Sequence, residues 1–574
     1  MKPRPVPIAV FVLALTALGF AAAGHRQAQE PSRAMGSSLA KLCLRPELLP
    51  PGTDMAALCD HCTSIPVGKD ASADGGTMTT HSCDGRYEFQ IHVVAGRTFP
   101  TGAMRPVMKG GGNGQDMPQA TQVAEIPEVE RTFTRYDAAY PFLNEQQVGI
   151  GETTIGGRRE LFDEGAPFDI MELERIALER ASSAREAIRI MGGLAEQYGY
   201  GDGGECLTVI DPNEVWQFEI FGAGTTGKGA VWAAKRIPDD EVGVSANHSR
   251  ITTLDLRDAD HAMGSATMKA VAEQLGLWKP GEPFVFRKVF DVPPSLGSTR
   301  REWRVLSTLA PSAHLDPWNR DLPFSVKPDR KVTPQDLMRL HRDSYQGTEF
   351  DMTKGLAAGP FGNPNRFGGG AAPPKGYVGW ERPISVLDCT YATVIQSRGW
   401  LPAWIGGLAW FAEDDPKTSV YMPLYAGATA LPESVQIGSR AAVDRRSAWW
   451  AFDFVSNWAN LRWNAMDKDV RAHGDAIERG FFDRQAEVER RALALYAEDP
   501  AKARAFLTDY TDQMVRKTVQ DWWAFSDVLV ARYNDGHVYE NGREIRVDYP
   551  REWLDAVGYG TKKILEPGKP PAVR

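Results

Sequence analysis

Cysteine is scarce in this chain. Six are spread over 574 residues, at positions 43, 59, 62, 83, 206 and 389, too few for disulfides to carry the fold. A second Cys-x-x-Cys is missing, as is any His-x-x-x-His, so Cys59 and Cys62 lack the further ligands a structural zinc site needs. No dense Lys/Arg run occurs. Lys plus Arg total 65 against 74 Asp plus Glu, a net charge of -9, which argues against nucleic acid as a partner. The Gly-rich stretch Lys109–Gly114 lacks the Gly-Lys-Ser/Thr ending of a phosphate-binding loop, and internal repeats are absent. What remains is ordinary for a soluble globular protein with an ample core: 43% hydrophobic and 24% charged. The 16 Trp and 39 Pro point to loops and aromatic-lined surfaces.

Only one long apolar run exists. Ile8 to Ala23 follows Lys2 and Arg4 and ends in Ala21-Ala22-Ala23. A basic start, a short apolar stretch and small residues at its end form a secretory signal, expected over residues 1–24. The run is short of the ~20 residues that span a bilayer. The mature chain is therefore expected to have no stable membrane span and to be periplasmic or extracellular. Residues 25–61 are polar and interrupted by Pro31, Pro46, Pro50 and Pro51. They read as a propeptide or a disordered arm.

At Cys62 several readings compete. A thioredoxin-like pair would open a helix, but Thr63-Ser64-Ile65-Pro66-Val67 reads as a strand. A papain-type signature is missing. A purely structural cysteine stays open on the residues alone. The continuation adds information. Cys62-Thr63-Ser64-Ile65-Pro66-Val67-Gly68-Lys69-Asp70-Ala71-Ser72-Ala73-Asp74-Gly75, followed by Thr77-Met78-Thr79-Thr80-His81-Ser82-Cys83-Asp84-Gly85, resembles the start of the mature N-terminal-nucleophile (Ntn) cysteine dipeptidases of PepD type. Two further stretches carry the same resemblance: Asn144-Glu145-Gln146-Gln147-Val148 with Glu152-Thr153-Thr154, and Trp232 to Asn247 through Arg236-Ile237-Pro238-Asp239-Asp240. It extends over residues 62–480.

The resemblance implies an α+β protein, a four-layer αββα sandwich, with a helix-rich C-terminal extension over residues 481–574 and a Gly/Pro-rich insert at 355–377. It implies an amide hydrolase acting on small peptides through Cys62 as the processed N-terminal residue, with no metal and no cofactor. A terminal cysteine carries its own base, because a free α-amine titrates near ~7.7–8 and can take the thiol proton. By the same resemblance Asp84 orients the α-ammonium and thiol, and Asn144 and Asn247 serve the oxyanion or the nucleophile region. Glu152 and Thr153 line the substrate site, and Arg301 or Arg304 lies near the thiol. His81 departs from the pattern and leaves the local charge around Cys62 undecided.

Helices are expected over Asp169–Tyr198, as two segments meeting near Ser182-Ser183. A hairpin is expected at Cys206–Asp211 and Val215–Phe221, a strand at Arg86–Val94, another at Ser419–Leu424, and several long helices after Arg440. The sequence is compatible with a homo-oligomer. Two other functions stay open: an acylase for non-peptide amides, and a secreted binding protein with a Cys59–Cys62 disulfide.

Overall fold

The strand that follows the Cys62 segment is sandwiched inside the molecule. The computed structural model describes residues 61–110, 120–227, 229–366 and 381–560. In it, strand β1 (Thr77–Asp84) is buried at every position. A strand so rich in hydroxyls can be buried because each finds a partner. Thr77 Oγ1 donates to the Asp211 carbonyl at 2.6 Å, and Thr79 Oγ1 meets Thr208 Oγ1 at 2.5 Å. Thr80 Oγ1 accepts from Ile65 N at 2.9 Å and Ser82 Oγ from Thr63 N at 3.1 Å.

β1 forms the edge of a four-stranded antiparallel sheet in the order β1-β10-β11-β12, with β10 Cys389–Ser397, β11 Leu408–Glu413 and β12 Met422–Tyr425. The second sheet has eight strands in chain order: β2 (His92–Val94), β3 (Arg135–Asp137), β4 (Leu143–Asn144), β5 (Gly149–Gly156), β6 (Gly204–Ile210), β7 (Val215–Gly222), β8 (Ala230–Ile237) and β9 (Ala262–Gly264). The sheets meet where β1 crosses β5. A Cβ at Gly151 would stand 2.1 Å from the Thr80 carbonyl oxygen, so only glycine permits this approach.

Helices α1 (Ile170–Arg180) and α2 (Ala184–Tyr198) interrupt the meander between β5 and β6. Asp169 and Ser183 cap them, accepting from Glu172 N and Glu186 N. This is the two-helix pattern expected from the sequence. α2 is tied to β8 by Trp232 Nε1, which donates to Glu196 at 2.6 Å. α3 (Leu296–Leu309) and α4 (Pro334–His341) follow, the latter with a Thr333/Asp336 capping box. Near the C-terminus, α5 (Ala448–Ala459), α6 (Trp463–Glu498) and α7 (Pro500–Arg532) cover the four-stranded sheet. Trp410 of β11 packs on Phe482 of α6 with ring centroids 4.3 Å apart, and Phe452 of α5 meets Trp522 of α7 at 5.3 Å.

The expected hairpin is present as β6 and β7, and the strand near Ser419–Leu424 as β12. Three local expectations differ. Thr63–Val67 is not a regular strand but a set of single bridges, Thr63 to Ser82, Ser64 to Ser245, and Val67 to both Met78 and Val242. Pro66 has no N–H to extend a ladder. Of Arg86–Val94 only His92–Val94 is strand. The chain is also continuous at position 480, because α6 runs 36 residues through it. Gly474 and Gly480 weaken that helix without ending it. Residues 1–60 and 367–377, parts of the expected signal, propeptide and insert, lie outside the described residues. Among the described residues, no helix is long and apolar enough to cross a membrane.

Candidate active site

Cys62 is fully buried and carries a free thiol. Its main chain is gripped from two sides. The Arg382 guanidinium donates through Nη2 to the carbonyl of His61, the residue before it, and also to Asp84 Oδ2 at 2.6 Å. Arg301 Nη1 donates to the carbonyl of Cys62 itself at 2.6 Å and to Thr63 Oγ1 at 3.0 Å. The other arm of Arg301 reaches Asn247 Oδ1 at 2.7 Å and the Ala246 carbonyl at 3.3 Å. Asn247 sits in the left-handed region, φ 67°, which asparagine tolerates better than most residues. Its Nδ2 donates to the Thr154 carbonyl at 2.7 Å, and the second amide hydrogen has no acceptor among the described residues.

The thiol faces β1 and β5. Cys62 Sγ, a His81 ring nitrogen and a Glu152 oxygen all lie within 4.8 Å of one another. His81 Nε2 is 3.2 Å from Glu152 Oε2. Burial pushes the Cys62 thiol well above the usual thiol range, and Glu152, Cys83 and Asp84 add to this, while a backbone hydrogen bond at Asp84 works the other way. Burial also raises the Asp84 carboxyl, opposed by Arg382. A thiol in this setting needs a base close by to become nucleophilic. Cys62, His81 and Glu152 also form a donor set of the kind that can hold a divalent metal such as zinc.

Of the residues singled out from the sequence, Cys62, Asp84, Glu152, Asn247 and Arg301 converge here. The remainder are engaged elsewhere. Asn144 Nδ2 donates both hydrogens, to the Leu178 and Ala181 carbonyls at 2.9 and 2.8 Å, and its Oδ1 accepts from Gln146 N and Val148 N at 3.0 Å each. It has no donor left for an oxyanion and instead fixes the end of α1 to the β4–β5 turn. Thr153 turns its hydroxyl to Ser245 Oγ at 2.5 Å. Arg304 pairs with Asp343 through Nε at 2.9 Å and Nη2 at 2.7 Å. Within the Arg300–Arg304 stretch, Arg300 and Arg301 are completely buried. His248 is buried and pairs with Glu302 at 2.8 Å, a structural role. Cys83 is buried beside Asp84, a packing residue. Two members of the cluster, His81 and Arg382, had no role assigned from sequence. His81 is detectable as the residue two places before Cys83 on a strand paired with the Cys62 segment; Arg382 has no such local mark.

A buried thiol at the head of a two-sheet α+β fold, with a basic and acidic cage around its own main chain, defines a cysteine-type peptidase. The chain belongs to peptidase family C69, whose model matches residues 61–475. It is 27% identical over 453 residues to a probable dipeptidase of Latilactobacillus sakei, covering 72% of this chain and 89% of that one. It is 29% identical over 399 residues to a probable dipeptidase of Salmonella dublin (64% and 81% covered), and 24% identical over 407 residues to dipeptidase A of Lactobacillus helveticus (65% and 77% covered). The resemblance drawn from the Cys62, Asn144 and Trp232–Asn247 segments thus leads to the right family.

Proposed function

We propose that this chain is a dipeptidase whose nucleophile is Cys62, freed as the N-terminal residue by cleavage after His61. The observation that carries this reading is the convergence of Arg301 and Arg382 on the carbonyls of Cys62 and His61, with Asp84 paired to Arg382, beside a buried thiol. After cleavage the α-amine of Cys62 takes the thiol proton, and the thiolate attacks the scissile carbonyl. The spare Asn247 amide hydrogen faces the developing oxyanion, where one such donor contributes about 3–4 kcal/mol. The same amine, now protonated, gives its proton to the leaving amino group. Water then releases the acyl group from sulfur. Arg301 holds the Cys62 carbonyl so that amine and thiol keep one orientation, and Asp84 with Arg382 fixes the other side. Two antiparallel sheets facing each other, with helices outside, support the four-layer αββα reading. Residues 1–24 serve as the secretion signal, and the precursor stays inactive because its Cys62 nitrogen is an amide.

The test is N-terminal sequencing and intact mass of the purified protein alongside dipeptide hydrolysis. A mature chain beginning at Cys62, with activity abolished in Cys62→Ala, is expected. Full activity in a chain that retains residues before Cys62, or in Cys62→Ala, would sink the mechanism.

A second reading has its own observation, the His81–Glu152 pair at 3.2 Å next to the thiol. On it, His81 is the base and no cleavage is required. His81→Gln then abolishes turnover, whereas on the first reading it slows it only modestly.

A further inference from the structure

Beside the thiol the larger sheet and α1 carry a group of buried carboxylates, several of whose oxygens lack hydrogen-bond partners among the described residues. Glu152 on β5 pairs with Leu207 of β6, and Thr154 with Glu205, which makes Glu152 and Glu205 diagonal neighbours on one face. Glu152 is the strongest charged neighbour of Glu205. Glu174 of α1 reaches the same region and feels Glu152 as its strongest charged neighbour. The three are 1%, 3% and 0% exposed. Both carboxylate oxygens of Glu174 and Oε2 of Glu205 have no hydrogen-bond partner among the described residues. Burial and mutual repulsion push the Glu174 and Glu205 carboxyls well above the usual range. Only partial relief is at hand: His81 sits on Glu152, and Arg175, which draws the Glu174 carboxyl down, is engaged with Asp137 at 3.3 Å. Buried carboxylates without partners are costly, and such groups either hold a proton or pair with a cation.

The geometry of a peptide says which cation fits. Its α-nitrogen lies two bonds from the carbonyl carbon, ~2.5 Å away. With that carbon poised for attack at ~3–3.5 Å from sulfur, the nitrogen falls about 3–6 Å from Sγ. A Glu152 oxygen stands within 4.8 Å of Cys62 Sγ. We propose that Glu152, backed by Glu205 and Glu174, forms the subsite for the free α-ammonium of the substrate's N-terminal residue. This deepens the dipeptidase reading and rests on it. The site then selects amides with an unblocked amine two bonds from the scissile carbonyl, and disfavours N-acyl and desamino compounds, which leave the carboxylates unpaired.

The test compares L-alanyl-L-alanine with propionyl-L-alanine, identical except for the amine, on the wild-type full chain and on Glu152→Gln and Glu205→Gln. The wild type is expected to favour the amine on the order of a hundredfold or more in kcat/KM. Both variants should lose most of that preference, chiefly by losing activity on the dipeptide. Equal losses on both substrates would assign Glu152 to Cys62 or His81 instead and overturn the proposal, as would a preference untouched in both variants. Thermal stabilisation of the same proteins by the two compounds reads the subsite without turnover. The dipeptide should raise the melting temperature more, and Glu152→Gln should erase the difference; equal shifts in the wild type overturn the subsite. A wild type that hydrolyses neither compound but still discriminates in melting would overturn the dipeptidase reading alone.

Discussion

Arg301 joins the Cys62 carbonyl to Asn247 with no exposed surface of its own. A lysine there keeps the charge but loses the planar fork that serves several acceptors at once. Arg301→Lys is therefore expected to lower kcat/KM on a dipeptide on the order of a hundredfold, since small displacements of a reacting group cost that much. Arg304→Lys, whose partner is Asp343, should change it little. Steady-state hydrolysis of one dipeptide by both variants decides this. Asn144 makes the opposite case. Its Ala variant should lose about 2–3 kcal/mol of stability in denaturant titrations, because carbonyl and amide groups are left unsatisfied, while turnover per folded molecule stays close to wild type. His341 of α4 is buried, with no hydrogen-bond partner on either ring nitrogen among the described residues. Burial, then the nearby His81 and Arg342, pull it down to about 3. The unfolded chain takes up that proton more readily, so this contribution is complete above about pH 6.5 and is lost as pH falls toward 3. Melting curves should show about 2 kcal/mol lost between pH 6.5 and 5, and His341→Gln should flatten that slope.

Elements differ in how far their own residues dictate them. α1 and α2 were readable because caps, apolar period and break all lie within thirty residues: Asp169 and Ser183 at the starts, Leu173, Ile176, Ile188 and Met191 inside. The β6–β7 hairpin was readable for the same reason. The Thr63–Val67 segment was not, since its bridges go to β1, to Ser245 and to Val242, partners the local pattern does not name. The site divides along the same line. Cys62 and Asp84 come with their local segment and β1, but which of Arg301 and Arg304 reaches Cys62 depends on how α3 docks, and Arg382 arrives from a loop more distant still. The crossing of β1 and β5 gives the element-scale prediction. Gly151→Ala forces apart Thr80, Thr208 and Ser64, which stand 2.1, 2.8 and 2.9 Å from the added carbon. A loss of about 1–3 kcal/mol or more is expected, accompanied by reduced activity because β1 carries His81 and Asp84. Melting temperature and dipeptide turnover, measured together, test it; an active variant of unchanged stability would contradict the packing described.

For the molecule as a whole, thiol chemistry and metal chemistry make different demands. On the proposed mechanism the processed protein keeps its activity after EDTA treatment and loses it to iodoacetamide, in step with alkylation of Cys62 measured by mass spectrometry. Loss of activity to EDTA and recovery with zinc would instead give the Cys62, His81 and Glu152 set to a metal.

Arg301 lies 239 positions after the carbonyl it holds, and Arg382 lies 321 positions after His61. At roughly 5–20 residues per second of synthesis, Cys62 leaves the ribosome on the order of a quarter of a minute to a minute before Arg382 exists. Until Arg301 is made Cys62 has neither of its clamps, and until Arg382 is made it has only one. The order of manufacture therefore acts as a timer, and Cys62 is set in place only when most of the protein has been made.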